Sequence, residues 1–233
     1  MVRCYADFLK ALREAGFSLA GGNPKGIWSA VPFSWEEQPY ITDSPVRWHT
    51  EDPETDPWEW RMRVLEEEAG VAYAKLFFHI GGFITREWYP LFLACRRGGM
   101  DFADAWAEGS VSSAARRVYE AACAAPGALL PELKAYAGFG REENAAFEQA
   151  VTELQACMYL TICGQGRRRN KYGEEYGWNC VRLCTAEAFW GEDFVASAGE
   201  LDPEEAEARI AARVLELNPK AKKAVIRRFI SGK

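Results

Sequence analysis

The 233 residues carry 28 Lys+Arg against 34 Asp+Glu, a net charge of −6, with 48% apolar and 27% charged residues. That balance excludes global disorder, and the length allows one or two domains with a sizeable core. No run approaches the roughly 18 apolar residues of a membrane helix, and Met1–Asp7 turns polar before a signal-peptide core could form, so a cytoplasmic, non-membrane protein is expected.

Residues 3–15 place Tyr5, Phe8, Leu9, Leu12 and Ala15 at helical spacing, with Gly16 as the stop. Residues 20–57 hold six prolines and little periodicity, a long irregular segment of the kind that carries function. Asp56 then supplies an N-cap, Pro57 suits the first helical position, and Glu59 stands where a capping box needs a carboxylate. Trp58, Met62 and Leu65 would share the inward face of that helix, ended by Gly70. Residues 71–80 fit either a strand or a buried helix, and Gly81-Gly82 follows. Residues 85–97 read as a helix in which Pro90 is tolerable only within the first turn, and 101–108 as a short helix turning Phe102, Ala105 and Trp106 inward.

The second half is expected to hold helices at 112–124, 130–137 and 144–158. A strand at 159–163, a polar loop at 164–177 and a second strand at 179–185 follow. Three helices, a strand, a basic loop and a strand is the order of a winged helix-turn-helix. Asp202 and Pro219 open two further helices, the second bearing Lys220, Lys222, Lys223, Arg227 and Arg228 outside a Val225-Ile226-Phe229-Ile230 stripe. No internal repeat is visible. The expected fold is α+β and mostly helical, with a winged helix in the second half. The aromatic-rich first half is mainly helical, and a degenerate winged helix there is left open. The expected regions are 1–108, a winged-helix domain at 109–190 and a helical pair at 191–233.

Four constellations could carry chemistry. Arg167, Arg168, Arg169 and Lys171 gather positive charge between two strands, where guanidinium forks can grip a phosphate backbone. On the outer face of helix 144–158, Gln149 and Thr152 could reach base edges, with neighbouring alanines permitting close approach and Glu153 opposing it. In the run from Trp48 to Arg61, His49, Glu51 and Asp52 could activate a water, and Trp60 could stack an extruded base. The basic last helix could show its cations to water or to a nucleic acid. The seven cysteines have no Cys-x-x-Cys pairing and only His49 and His79 for company, which suits small buried thiols rather than zinc. No metal or organic cofactor is expected.

The stretches Trp48–Arg61, Gly82–Phe92 with Arg96-Arg97, and Phe147–Gly164 with Tyr176-Gly177-Trp178 resemble the AlkZ-related proteins. These are short bacterial relatives of the winged-helix AlkZ and YcaQ DNA glycosylases that unhook interstrand crosslinks. The resemblance implies winged-helix units around a DNA-sized concavity and double-stranded DNA as the partner. Full enzymes of that kind position a hydrolytic water at the sugar C1′ with a Gln-x-Gln or Gln-x-Asp motif. Here Gln38, Gln149, Gln155 and Gln165 all lack the second acceptor, so no catalytic residue carries over. The expected function is therefore DNA binding without the glutamine motif. The alternatives are a glycosylase using the carboxylates of the 49–56 loop and a non-catalytic winged helix that binds a protein partner.

Overall fold

The computed structural model describes residues 1–67 and 70–233. In chain order the elements begin with α1 (Tyr5–Ala15), β1 (Phe17–Leu19), α2 (Pro57–Glu66), β2 (Val71–Phe77), β3 (Ile80–Thr85), α3 (Tyr89–Arg97) and α4 (Phe102–Ala107). Then come α5 (Ser113–Ala124), β4 (Ala128–Leu129), α6 (Leu130–Tyr136), α7 (Asn144–Ala156), β5 (Leu160–Arg169) and β6 (Glu175–Thr185). The last are α8 (Ala186–Trp190), α9 (Glu192–Ala196), α10 (Pro203–Leu217) and α11 (Lys223–Ser231). The fold is α+β. Among the described residues no helix is long and apolar enough to cross a membrane.

Among the described residues all six strands form one antiparallel sheet, ordered β1-β3-β2-β5-β6-β4. That order reads the same from either edge: a short strand, then the last strand of a hairpin, then its first. Each half also begins with a helix that precedes its short edge strand, α1 or α5, and places another helix before its hairpin, α2 or α7. The repeat is one of topology and is invisible in the residues. The halves meet in the sheet at a single bridge, Tyr73 opposite Ile162.

Successive β2 side chains point to opposite faces and divide the core in two. Val71 and Tyr73 join α1, α2, α5, α6 and α7 around Phe8, Trp60, Leu133 and Leu154. Ala72, Ala74 and Leu76 join α3, α10 and α11 around Phe92, Ile210 and Phe229.

Several elements differ from the sequence expectation, each for a physical reason. Residues 71–77 are a strand, and Gly81-Gly82 lies inside β3 rather than at a break. A Cβ on Gly82 would stand 2.3 Å from the Phe77 ring, so the glycine leaves room for that ring to fill the core. Phe78 and His79, both at positive φ, make the two-residue turn between β2 and β3. The helix expected from Thr85 starts only at Tyr89, with Pro90 in its first turn, because Thr85 still belongs to β3. Ala128–Leu129, expected as a connection between helices, pair with Leu183 and Arg182 as β4. Most consequentially, residues 164–177 are not a loop. Ladder pairing continues from Gln165 opposite Val181 to Arg169 opposite Glu175, and only 170–174 turn. The bases of β5 and β6 are buried and their outer halves are exposed, so the hairpin projects from the body. Trp106, expected inward, lies at the surface beneath the Arg116 guanidinium.

Candidate functional site

Two stretches far apart in sequence, 49–62 and 165–181, line one cleft of about 590 Å³ between α2 with its preceding loop and the base of the hairpin. Its shape depends on Asp56. This carboxylate is fully buried and satisfied by backbone: Oδ2 accepts from the N–H groups of Thr50 at 2.7 Å and Glu51 at 3.1 Å. Oδ1 accepts from the N–H of Trp58 at 2.8 Å, which caps α2. One side chain thus ties the loop to the helix start. The tie holds His49 and Glu51 at φ of 59° and 62°, the left-handed region that non-glycine residues occupy only when the surroundings impose it.

Those backbone angles decide what faces the cleft. His49 packs among three indoles, with ring centroids 4.8 Å from Trp58, 5.8 Å from Trp35 and 6.2 Å from Trp48. Trp48 is buried, its indole N–H donating to the Phe33 carbonyl, whereas Trp35 and Trp58 stay exposed. The Arg61 guanidinium lies 3.3 Å from the Trp58 ring centroid and donates through Nε to the Trp58 carbonyl. From the other wall come Gln165, Arg167, Asn179 and Trp178, the last 90% exposed.

Trp58 and Trp60 exchange the roles expected from the sequence. Trp60 is wholly buried, stacked on Phe8 with centroids 5.0 Å apart, and cannot receive a base. Trp58 is the accessible ring. Both 58-62-65 and 57-60-64 are legitimate helical stripes, and the buried set is Pro57, Trp60, Met62 and Val64.

The carboxylates also sort differently. Glu51 lines the cleft. Asp52 does not: its oxygens accept from the Thr55 hydroxyl and the Glu54 N–H, bonds that hold its carboxyl below the usual aspartate range. Glu59 does not close the expected capping box, because the Asp56 N–H already donates to the Asp52 carbonyl at 2.9 Å. Its carboxylate is released into the cleft. Partial burial raises its pKa above the ordinary glutamate range, Asp56 and Glu51 add repulsion, and Arg61 opposes them. The cleft thus has an acidic floor of Glu51, Asp56 and Glu59 with Arg61 and Arg167 around it.

On the hairpin, Arg168 approaches the Tyr176 ring at 5.3 Å and Lys171 the Tyr172 ring at 4.9 Å. Arg169 forms a solvent-exposed pair with Glu175 at 3.4 Å, a contact of little energetic weight. Arg167 points to the cleft. The four cations are therefore at the surface, Arg167, Arg168 and Arg169 on a strand ladder whose alternate residues face alternate sides and Lys171 in the turn at its tip.

Helix α7 presents less surface than its pattern suggests. Gln149 is exposed. Thr152 is half-buried, donating to the Glu148 carbonyl and accepting from Lys75 Nζ at 3.3 Å. Glu153 accepts from both the N–H and the hydroxyl of Ser112, and the buried Gln155 accepts from the Lys75 N–H. The helix is wedged between α5 and β2. Of Gln149 and Thr152, only Gln149 is open to a partner. Among the described residues no group of three or more His, Cys, Asp or Glu side chains could hold a metal ion.

Residues 2–231 match the family model described as AlkZ related. No curated protein and no solved structure matches the chain. The matched span covers both halves of the sheet and both walls of the cleft, and the chain belongs to the AlkZ-related family.

Proposed function

We propose that this protein binds double-stranded DNA, with the cleft between the Trp58 loop and the hairpin as its working site. The observation that carries the reading is the convergence itself: the Trp48–Arg61 run and the basic hairpin meet across one opening. We read residues 113–185 as a winged helix, supported by the order α5, β4, α6, α7, β5, β6 with β4 on the outer edge of β6. The projecting hairpin is then the wing. Arg167, Arg168, Arg169 and Lys171 contact phosphates, and the DNA-repair glycosylases to which the family is related supply the class of partner. The acidic floor keeps phosphates at the rim and admits uncharged parts of a nucleotide. Trp58 and Trp178 offer accessible π-faces to a base.

The test is duplex binding across a salt series. Each phosphate contact removed lowers the log–log slope by roughly 0.9, so Arg167→Ala/Arg168→Ala/Arg169→Ala should lower it by about 2–3. Wild-type binding unchanged by the triple substitution would end the reading.

A second reading is favoured by Glu59, whose carboxylate is freed from the helix cap and raised in pKa. In it the cleft cleaves an alkylated base from its sugar, Glu59 handling the proton, Glu51 orienting the water and His49 assisting. Abasic sites formed on alkylated duplex by wild type, and lost in Glu59→Gln with duplex binding retained, would support it. Unaltered product in both Glu59→Gln and Glu51→Gln would refute the assignment.

A further inference from the structure

Residues 218–233 hold six of the 28 Lys+Arg and none of the 34 Asp+Glu, which leaves 22 cations against 34 acids, or −12, on the rest of the chain. The six are Lys220, Lys222, Lys223, Arg227, Arg228 and Lys233, all exposed. Among the described residues none of them forms an ion pair. Glu216, the last acid before them, is already held by Arg213 at 2.6 Å.

Helix stability accounts for Arg228, in the last turn of α11 where a cation is favoured, but not for the cations at the helix start. Lys222 and Lys223 sit at the N-cap and first position of α11, where a cation opposes the macrodipole. Solubility does not explain their placement either, because six cations move an anionic protein toward zero net charge. What the stripe lacks is as informative. Ile226, Phe229 and Ile230 are buried against Phe17, Phe77 and Phe92, so α11 keeps no apolar face for a bilayer. Nor does it leave an apolar anchor of the kind that centres a protein interface. Phosphate recognition needs only the cations. A neighbouring residue extends the same surface: Asn218 donates to the Gly26 carbonyl, bringing exposed Lys25 beside the start of the stripe.

From these observations we infer that the outer face of α11, with Lys25, Lys220, Lys222 and Lys223 at one end and Arg227 and Arg228 along it, is a second binding surface for the phosphate backbone of a nucleic acid. Packing places α11 on the sheet face opposite the one that α2 covers beside the cleft. The two surfaces therefore engage different nucleic-acid segments, or one segment that bends around the sheet. The inference rests on the DNA-binding reading above but assigns a surface that the reading does not use.

The experiment follows a labelled duplex long enough to reach both sheet faces by anisotropy across a salt series. It compares wild type, the triple Lys220→Gln/Lys222→Gln/Lys223→Gln, the hairpin triple Arg167→Ala/Arg168→Ala/Arg169→Ala, and the two combined. All altered residues are exposed, and unchanged melting checks the fold. The lysine triple should lower the slope by about 2–3, and its effect should add to that of the hairpin triple because the sites share no partner. A lysine triple with wild-type slope and affinity, beside a weakened hairpin triple, overturns the second surface and leaves the cleft reading standing. No wild-type binding at low salt removes both. Polyglutamate of equal charge competing as well as duplex, with that competition lost in the lysine triple, would make α11 a site for acidic protein and overturn the assignment.

Discussion

Replacing Asp56 separates the two duties of its carboxylate. Asp56→Ala removes a helix cap worth about 1 kcal/mol and two charge-assisted bonds to the Thr50 and Glu51 amides, each worth about 1.5–3 kcal/mol. Freed from the tie, His49 and Glu51 return to ordinary φ values and recover about 1 kcal/mol each. The net cost is about 3 kcal/mol, which for a chain of this size lowers Tm by about 6–12 °C. Asp56→Asn keeps the cap through Oδ1 but turns an amide toward two N–H donors, so it should lose the loop at about 2 kcal/mol. Thermal unfolding by circular dichroism measures both costs, and indole fluorescence reports the Trp35, Trp48 and Trp58 environment around His49. An Asp56→Ala protein that loses only the cap's share, with loop fluorescence unchanged, would show that the carboxylate does not hold the cleft.

The two tryptophans should diverge. Trp60→Ala empties the core beside Phe8 and costs about 3–5 kcal/mol, whereas Trp58→Ala leaves Tm nearly unchanged and weakens duplex binding. Urea unfolding and anisotropy distinguish them. Glu59 has a folded pKa above its unfolded one, so the stability it confers is full below the ordinary glutamate pKa and lost as pH rises through the raised value. The Tm of wild type relative to Glu59→Gln should therefore fall across that interval, and a flat difference would refute the shift. Gly82→Ala sets a methyl against the Phe77 ring and should destabilise by about 1–3 kcal/mol, read by denaturant midpoint. Arg96 donates to the carbonyls of Phe229, Ile230 and Ala156, joining the ends of α11 and α7. Arg96→Ala should loosen α11, seen as faster amide exchange over Ile226–Ile230.

Much of this fold is legible in local chemistry. Asp56, Ser112 and Asp202 announce helix starts because a side-chain acceptor one residue before a periodic stripe has few other uses. What escapes is long-range. Gly164–Gly177 looks like a loop because its four glycines, Asn170 and the charged Lys171, Glu174 and Glu175 are poor strand formers, yet cross-strand pairing with β6 extends the ladder through Arg169. On a strand, the period-2 spacing of Gln165 and Arg167 puts both on one side, and both line the cleft. The Trp58 and Trp60 exchange has another cause: two helical stripes compete, and only the position of Phe8 on a distant helix decides between them. Glu59 is missed because a capping box is a matter of which amide is vacant, and the Asp52 carbonyl had taken it.

Across the Tyr73 and Ile162 bridge the sheet is at its narrowest join, with the Gln155 tie to Lys75 as a brace beside it. One wall of the cleft hangs from each side of that seam. The hydrophobic cluster that α1 and α2 share with α5, α6 and α7 spans that seam, so a single continuous core sets both walls of the cleft.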